Sequence, residues 1–374
     1  MMKGTLQSRE AGQGPWGPFI KQREVNPCLT ASAEPEFDCP LQGKRVRWEE
    51  KDVFNPAAVV RDGKVCLLYR AEDTAGRYAG TSRIGLAVSE DGYRFFKRPE
   101  PVLAPGEDDF RCLEWEGGCE DPRIVEDENG TYYMSYTAYD GHLARLCMAT
   151  STDLVNWTKH GLAFGRALAG KYADLWSKSG SIVCELRGDR LIARRIGGKY
   201  WMYWGESNVY AATSDNLIDW TPFERPLEGR RLLNQEGVPG GAVRESSGSG
   251  LSAVFTTREG RFDSSLVEPG PPAVWTEEGI VFLYNSSNHS ETGDPSLPPG
   301  AYTPGQIVLD PVDPTAVVSR CIWPFLVPEL DYEISGQTQN TCFIEGLVFF
   351  GGKWLLYYGT ADSNIAVAEW TPAK

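Results

Sequence analysis

Apolar and aromatic residues in this chain gather in short runs of strand length, and five of the runs follow a glycine in the same way. Gly63 leads into Val65, Cys66, Leu67, Leu68 and Tyr69, and Gly130 into Tyr132, Tyr133, Met134 and Tyr136. Gly198 leads into Tyr200, Trp201, Met202, Tyr203 and Trp204, and Gly279 into Ile280, Val281, Phe282, Leu283 and Tyr284. Gly352 leads into Trp354, Leu355, Leu356, Tyr357 and Tyr358. Subtracting residue numbers puts successive glycines 67, 68, 81 and 73 positions apart. A strand is expected before each glycine, at 57–60, 123–125, 191–193, 272–275, and 343–344 with 347–349. A third is expected after it, at 84–89, 146–151, 209–214, 306–309 and 365–368. In three copies the third strand runs on into an Asp or Asn turn and an aromatic: Asp91 to Phe95, Asp153 to Trp157, and Asn216 to Trp220.

Repetition at this period means a stack or ring of like units. The runs carry β-branched and aromatic residues at strand length, which excludes a helical solenoid. Three to four antiparallel strands per unit and five units predict an all-β, five-bladed β-propeller over residues 51–374. Residues 1–50 are irregular, rich in Gly, Pro and polar residues, and read as a strap packed on the propeller.

Composition narrows the partners. The chain has 37 Lys+Arg against 51 Asp+Glu, a net charge of -14. Such a balance excludes nucleic acid and anionic membrane, which need a positive surface, and is compatible with a neutral sugar. The 12 Trp, 16 Tyr and 15 Phe supply flat apolar faces with polar handles, useful in a sugar cleft as well as in a sheet core. No run reaches the roughly 18 apolar residues of a spanning helix, and residues 1–10 lack the apolar centre of a signal peptide. The nine cysteines are an odd number, and Cys66, Cys147, Cys184 and Cys342 sit in apolar runs as small hydrophobes. That usage points to a reducing, cytoplasmic setting. With three histidines and no paired Cys spacing, no metal or organic cofactor is implied. The segment 288–294 and the strap either shape the cleft or meet a neighbouring subunit, so a homo-oligomer stays an open expectation.

In a propeller, the starts of the first strands and the turns after the second strands meet at one end of the axis. The first group gives Asn55, Asp121, Lys178, Ser179 and Glu268. The second gives Arg70, Asp73, Tyr139, Asp140, Glu206 and Asp362, with Arg83 beside them. Many acids, few bases and several aromatics in one concavity suggest a carbohydrate site with paired carboxylates. Within Glu120-Asp121-Pro122-Arg123, the proline biases Asp121 towards an extended backbone. An acid held stiffly among aromatics suits a proton donor of raised pKa.

Five runs carry a resemblance: Phe54-Asn55-Pro56-Ala57-Ala58, Leu68-Tyr69-Arg70-Ala71-Glu72-Asp73, Ser82-Arg83-Ile84-Gly85, Gly118-Cys119-Glu120-Asp121-Pro122-Arg123-Ile124 and Tyr358-Gly359-Thr360-Ala361-Asp362. They resemble glycoside hydrolase family 130, the β-mannoside phosphorylases and β-1,2-mannosidases, over roughly residues 50–370. The resemblance implies a five-bladed propeller, a β-mannoside oligosaccharide as partner, inversion, and Asp121 as general acid acting through a hydroxyl of the mannose. From their places at the axis, Asn55, Arg70, Asp73, Arg83 and Asp362 are expected to hold the terminal sugar, with Tyr139, Asp140, Lys178 and Ser179 lining the pocket.

Inversion needs either an activated water or phosphate on the far face of the sugar. Family phosphorylases carry a His-Arg pair after the aromatic strand of the third unit. Here that place reads Trp204-Gly205-Glu206, and Glu268 opens the fourth unit. The resemblance is therefore to the hydrolytic branch, with Glu268 and Glu206 activating water. Lys178, Arg194 and Arg195 keep phosphorolysis open as an alternative, and a non-catalytic carbohydrate-binding propeller is the second alternative.

Overall fold

A computed structural model of the chain describes residues 14–75, 80–224 and 250–373. Residues 1–13, including the stretch read for a leader, lie outside the described residues. The regular structure is almost all strand; the α-helices among the described residues, Arg111–Glu114 and Asp331–Ile334, are four residues each. The five expected turn glycines all have positive φ, from 70° at Gly63 to 151° at Gly279. That backbone suits glycine and explains why each hairpin begins there.

Five antiparallel units follow one another. The first is Asp52–Arg61, Lys64–Glu72, Ser82–Ser89 and Phe96–Lys97. The second is Gly118–Glu126, Tyr132–Tyr139, Ala144–Ser151 and Thr158–Leu162. In the third, Ser181–Ile182 pairs with Lys199–Trp204, which pairs with Asn208–Ser214. The fourth has a broken first strand, Leu266–Pro269 and Val274–Thr276, then Gly279–Ser287, Tyr302–Leu309 and Val317–Arg320. The fifth is Cys342–Phe350, Lys353–Thr360 and Asn364–Trp370, and its outer edge is covered by Ile20–Lys21 and Leu29–Thr30 from the N-terminal segment. Apolar clusters lie between units. Leu68 and Ile84 pack with Tyr136 and Cys147, Tyr203 with Phe282 and Ile307, and Val65 and Tyr69 with Leu355 and Tyr357. The last of these joins the first unit to the fifth.

One expectation is corrected. Residues 191–193 do not pair with the aromatic strand that follows Gly198. Arg190–Ala193 forms a hairpin with Cys184–Arg187 that lies between the second and fourth units, through Ile192 opposite Glu126 and Cys184 opposite Val274. Both stretches are apolar, and β-propensity does not choose a partner.

A buried device recurs between the second and outermost strands. Tyr69 donates to Glu49, Tyr136 to Glu114, Tyr284 to Asp263 and Tyr358 to Glu333, at 2.7, 2.8, 2.8 and 2.8 Å. Each carboxylate also meets a cation from the outermost strand of that unit: Lys97, Lys159, Arg320 and Lys21. A buried phenol needs a partner and a buried carboxylate needs a cation, so each trio satisfies itself. In the third unit Tyr203 donates instead to the Pro314 carbonyl, at 2.7 Å.

Candidate active site

The first strands bulge where the polar residues sit. Register shifts fall between Phe54 and Pro56, between the partners of Ser135 and Thr137, and between Ile344 and Gly346. Asn55, Asp121 and Glu345 occupy those shifts, and a bulge re-aims the side chain of the extra residue. Asn55 and Asp121 both have φ 47°, and Ser179 has φ 61°. The extended backbone expected at Asp121 is therefore not what forms. The bulge overrides the bias from Pro122, and Asn and Asp tolerate the left-handed region better than most residues. Gly359 makes room for this arrangement, because a Cβ there would lie 2.6 Å from Asn55 Oδ1.

Arg70 is the hub of one half of the site. Its guanidinium donates to Ser82 Oγ at 3.0 Å, Asp121 Oδ1 at 3.2 Å and Glu72 Oε1 at 2.7 Å. It lies 3.0 Å from Glu120 Oε1 and rests over the Phe54 ring. Asn55 donates to the same Asp121 oxygen at 3.0 Å. In the other half, Lys178 Nζ stands 3.3 Å from Glu268 Oε1 and 3.9 Å from Glu206 Oε1. Ser179 donates to Glu268, and the half-exposed Trp176 donates to Glu206 Oε2 at 3.1 Å.

The two halves share an electrostatic field. Burial pushes the Asp121 carboxyl up, but Arg70 and Lys178, with the Asn55 hydrogen bond, outweigh it and hold it below the usual range. The raised pKa expected for this acid is not found. The group that rises is its neighbour: burial, opposed by Arg70 and helped by the Asp121 charge, takes Glu120 to about 7. Burial also raises Glu268 against the pull of Lys178, and takes Asp362 to about 6. Glu345 is fully buried and pushed well up by desolvation.

Of the residues expected at the axis, Asn55, Arg70, Asp121, Lys178, Ser179, Glu206, Glu268 and Asp362 are brought together by these contacts and fields. Four others have local partners. Asp73 and Arg83 are buried against each other at 2.6 Å, with Asp73 also accepting from Thr81 N–H at 3.0 Å. Asp140 caps the backbone of His142 and Leu143 and pairs with Arg145. Tyr139 lies against Gly117, where a Cβ would meet its ring at 2.3 Å. Arg194 pairs with Glu185 and stacks on Trp275, and Arg195 donates to the carbonyls of Gly198 and Asp215. Sequence reasoning missed Glu72, Glu120 as the high-pKa partner, Trp176 and Glu345. Glu345 was legible as the polar residue ahead of Gly346 that matches Asn55 ahead of Pro56 and Asp121 ahead of Pro122.

The chain is similar to known proteins along nearly its whole length. The family model Glyco_hydro_130, described as beta-1,4-mannooligosaccharide phosphorylase, matches residues 22–374. A 1,2-beta-oligomannan phosphorylase of Thermoanaerobacter sp. (strain X514) is 29% identical over 359 residues, 93% of this chain and 96% of that protein. The crystal structure of a glycosyl hydrolase from Bacteroides ovatus is 43% identical with a TM-score of 0.86, covering 97% of this chain and 95% of that one. A further structure is 42% identical, with a TM-score of 0.87 and coverage of 99% and 97%. It is described by the finding that the GH130 family of mannoside phosphorylases contains glycoside hydrolases that target beta-1,2 mannosidic linkages in Candida mannan. This chain belongs to glycoside hydrolase family 130.

Proposed function

We propose that the protein is an inverting, exo-acting glycoside hydrolase that releases mannose from β-1,2-linked manno-oligosaccharides. The observation that carries the reading is the charge around Lys178. One ammonium stands between two carboxylates, Glu206 and Glu268, so an entering phosphate would meet a net negative site and be repelled. Arg194 and Arg195, the cations that kept phosphorolysis open, are held by Glu185 and by backbone carbonyls. The higher identity to the two hydrolase-described structures, 43% and 42% against 29% for the phosphorylase, supports the same side.

In this mechanism Asp121 protonates the leaving oxygen through a mannose hydroxyl, and Glu268, assisted by Glu206, deprotonates the attacking water. Arg70, Asn55 and Asp362 hold the terminal sugar by charge-assisted hydrogen bonds. We also propose that the five units close into a five-bladed propeller, with the N-terminal segment as its strap. The packing of the first unit against the fifth supports this closure.

Phosphorolysis is the second reading, favoured by the curated relative and by the ammonium of Lys178. Sugar release from β-1,2-mannobiose with and without inorganic phosphate separates the two. Free mannose at equal rates in both is expected, and mannose 1-phosphate appearing only with phosphate overturns the hydrolase. Asp121→Asn is expected to abolish turnover while thermal unfolding stays close to wild type; surviving activity would remove Asp121 as the acid.

A further inference from the structure

One guanidinium fastens together the strands that carry both proposed catalytic carboxylates. Arg123 is 1% exposed. Its Nε donates to the carbonyl of Gly270 at 2.8 Å, its Nη2 to that of Pro269 at 2.7 Å, and its Nη1 to that of Asp121 at 3.3 Å. Pro269 and Gly270 directly follow Glu268. The backbone of the acid and the backbone beside the base are thus fixed to one rigid, planar group. Arginine has this geometry and lysine does not.

The orientation of that group has its own support. Arg123 Nη2 lies 2.9 Å from Glu345 Oε1, from the bulge of the fifth unit. The contact is an ion pair outside hydrogen-bond geometry, and both Glu345 oxygens are buried without a hydrogen-bond partner among the described residues. A carboxylate so placed is costly unless it faces a cation. It sits in the field of Asp121 and Glu268, which makes the cost greater. No contact described for Arg123 or Glu345 reaches outward to solvent, so the pair acts through the residues it holds.

We propose that Arg123, oriented by Glu345, is the positioning residue that sets the separation of Asp121 and Glu268. In an inverting glycosidase the two carboxyls must leave room for one water, and small changes in that gap alter both rate and outcome. A misplacement of about 1 Å costs on the order of 100-fold in rate. The inference rests on the reading of Asp121 and Glu268 as acid and base.

The test is steady-state kinetics on β-1,2-mannobiose, with and without phosphate, for Arg123→Lys, Arg123→Met and Glu345→Gln, with Asp121→Asn alongside. Arg123→Lys keeps the charge and loses the fork, so kcat falls about 100-fold with KM within about threefold and the pH profile in place. Arg123→Met also removes a positive charge that lowers both carboxylates, so both limbs of its profile move to higher pH. Glu345→Gln keeps size and replaces with an amide the carboxyl that faces Arg123 Nη2, and kcat falls about tenfold at unchanged KM. Wild-type kcat in Arg123→Lys, or a loss that only tracks the loss of folded protein in thermal unfolding, overturns the proposal. Should the arginine variants not fold, wild-type kcat in Glu345→Gln overturns it alone. An inactive Asp121→Asn beside an unimpaired Arg123→Lys sinks this inference and spares the acid, whereas an active Asp121→Asn sinks the proposed function.

Discussion

At Asp121 two demands conflict. A general acid must hold a proton, yet Arg70, Lys178 and Asn55 all favour its carboxylate. The proton available near neutrality sits on Glu120, whose group rises to about 7, and both carboxylates touch the same guanidinium. The two titrate as a pair, so activity that needs the protonated pair is present below about pH 7 and is lost as pH rises through that value. Glu120→Gln removes a negative neighbour from Asp121 and lowers its pKa further. The alkaline limb of kcat/KM is therefore expected to move to lower pH; a limb that stays near 7 would show that Glu120 is a bystander. The residue types at this site were legible in the sequence, because acids and arginines recur at matching places in several units. Their electrostatics were not, since the sign of a shift depends on which cations surround a carboxyl. Asp73 and Asp140 also have local partners that the pattern does not announce. Their places matched the pattern, but their oxygens cap local backbone, which short-range turn chemistry does wherever a chain bends.

Strands carry the site by departing from regularity. Asn55 and Asp121 occupy a backbone region that costs about 1–3 kcal/mol for most residues, and the surrounding sheet holds them there. The hairpins themselves were legible, because a turn glycine ahead of an aromatic run is a local signal. The pairing of residues 191–193 was not, because it is decided by neighbours distant in sequence. Also illegible was the trio of tyrosine, carboxylate and cation, whose members come from separate elements. Its energetics are open to test at Glu114, which is fully buried beside Lys159. Lys159→Met leaves that charge without its cation and is expected to cost about 3 kcal/mol, read as a lower midpoint in urea. Adding Glu114→Gln to the same chain is expected to restore part of the loss. A midpoint unchanged in Lys159→Met would mean that Glu114 is neutral in the folded protein.

Across the molecule, the fifth unit is completed by residues from the other end of the chain. Ile20–Lys21 and Leu29–Thr30 cover Asn364–Trp370, and Lys21 supplies the cation for Glu333. Removing residues 14–30 uncovers a strand edge, strands Glu333 and exposes the faces under Phe19 and Leu29. Such a truncation is expected to unfold on the order of 10 °C earlier than the full chain and to aggregate from that edge; an unchanged melting temperature would show that the segment is ornamental. The same pairing has a consequence for biosynthesis. Ile20 and Glu369 are 349 positions apart (369 − 20). At about 5–20 residues per second, the first strand waits roughly 20–70 s for its partner to be made. During that interval Ile20–Lys21 and Leu29–Thr30 are without their partner strand, and they can pair only once Asn364–Trp370 has been made.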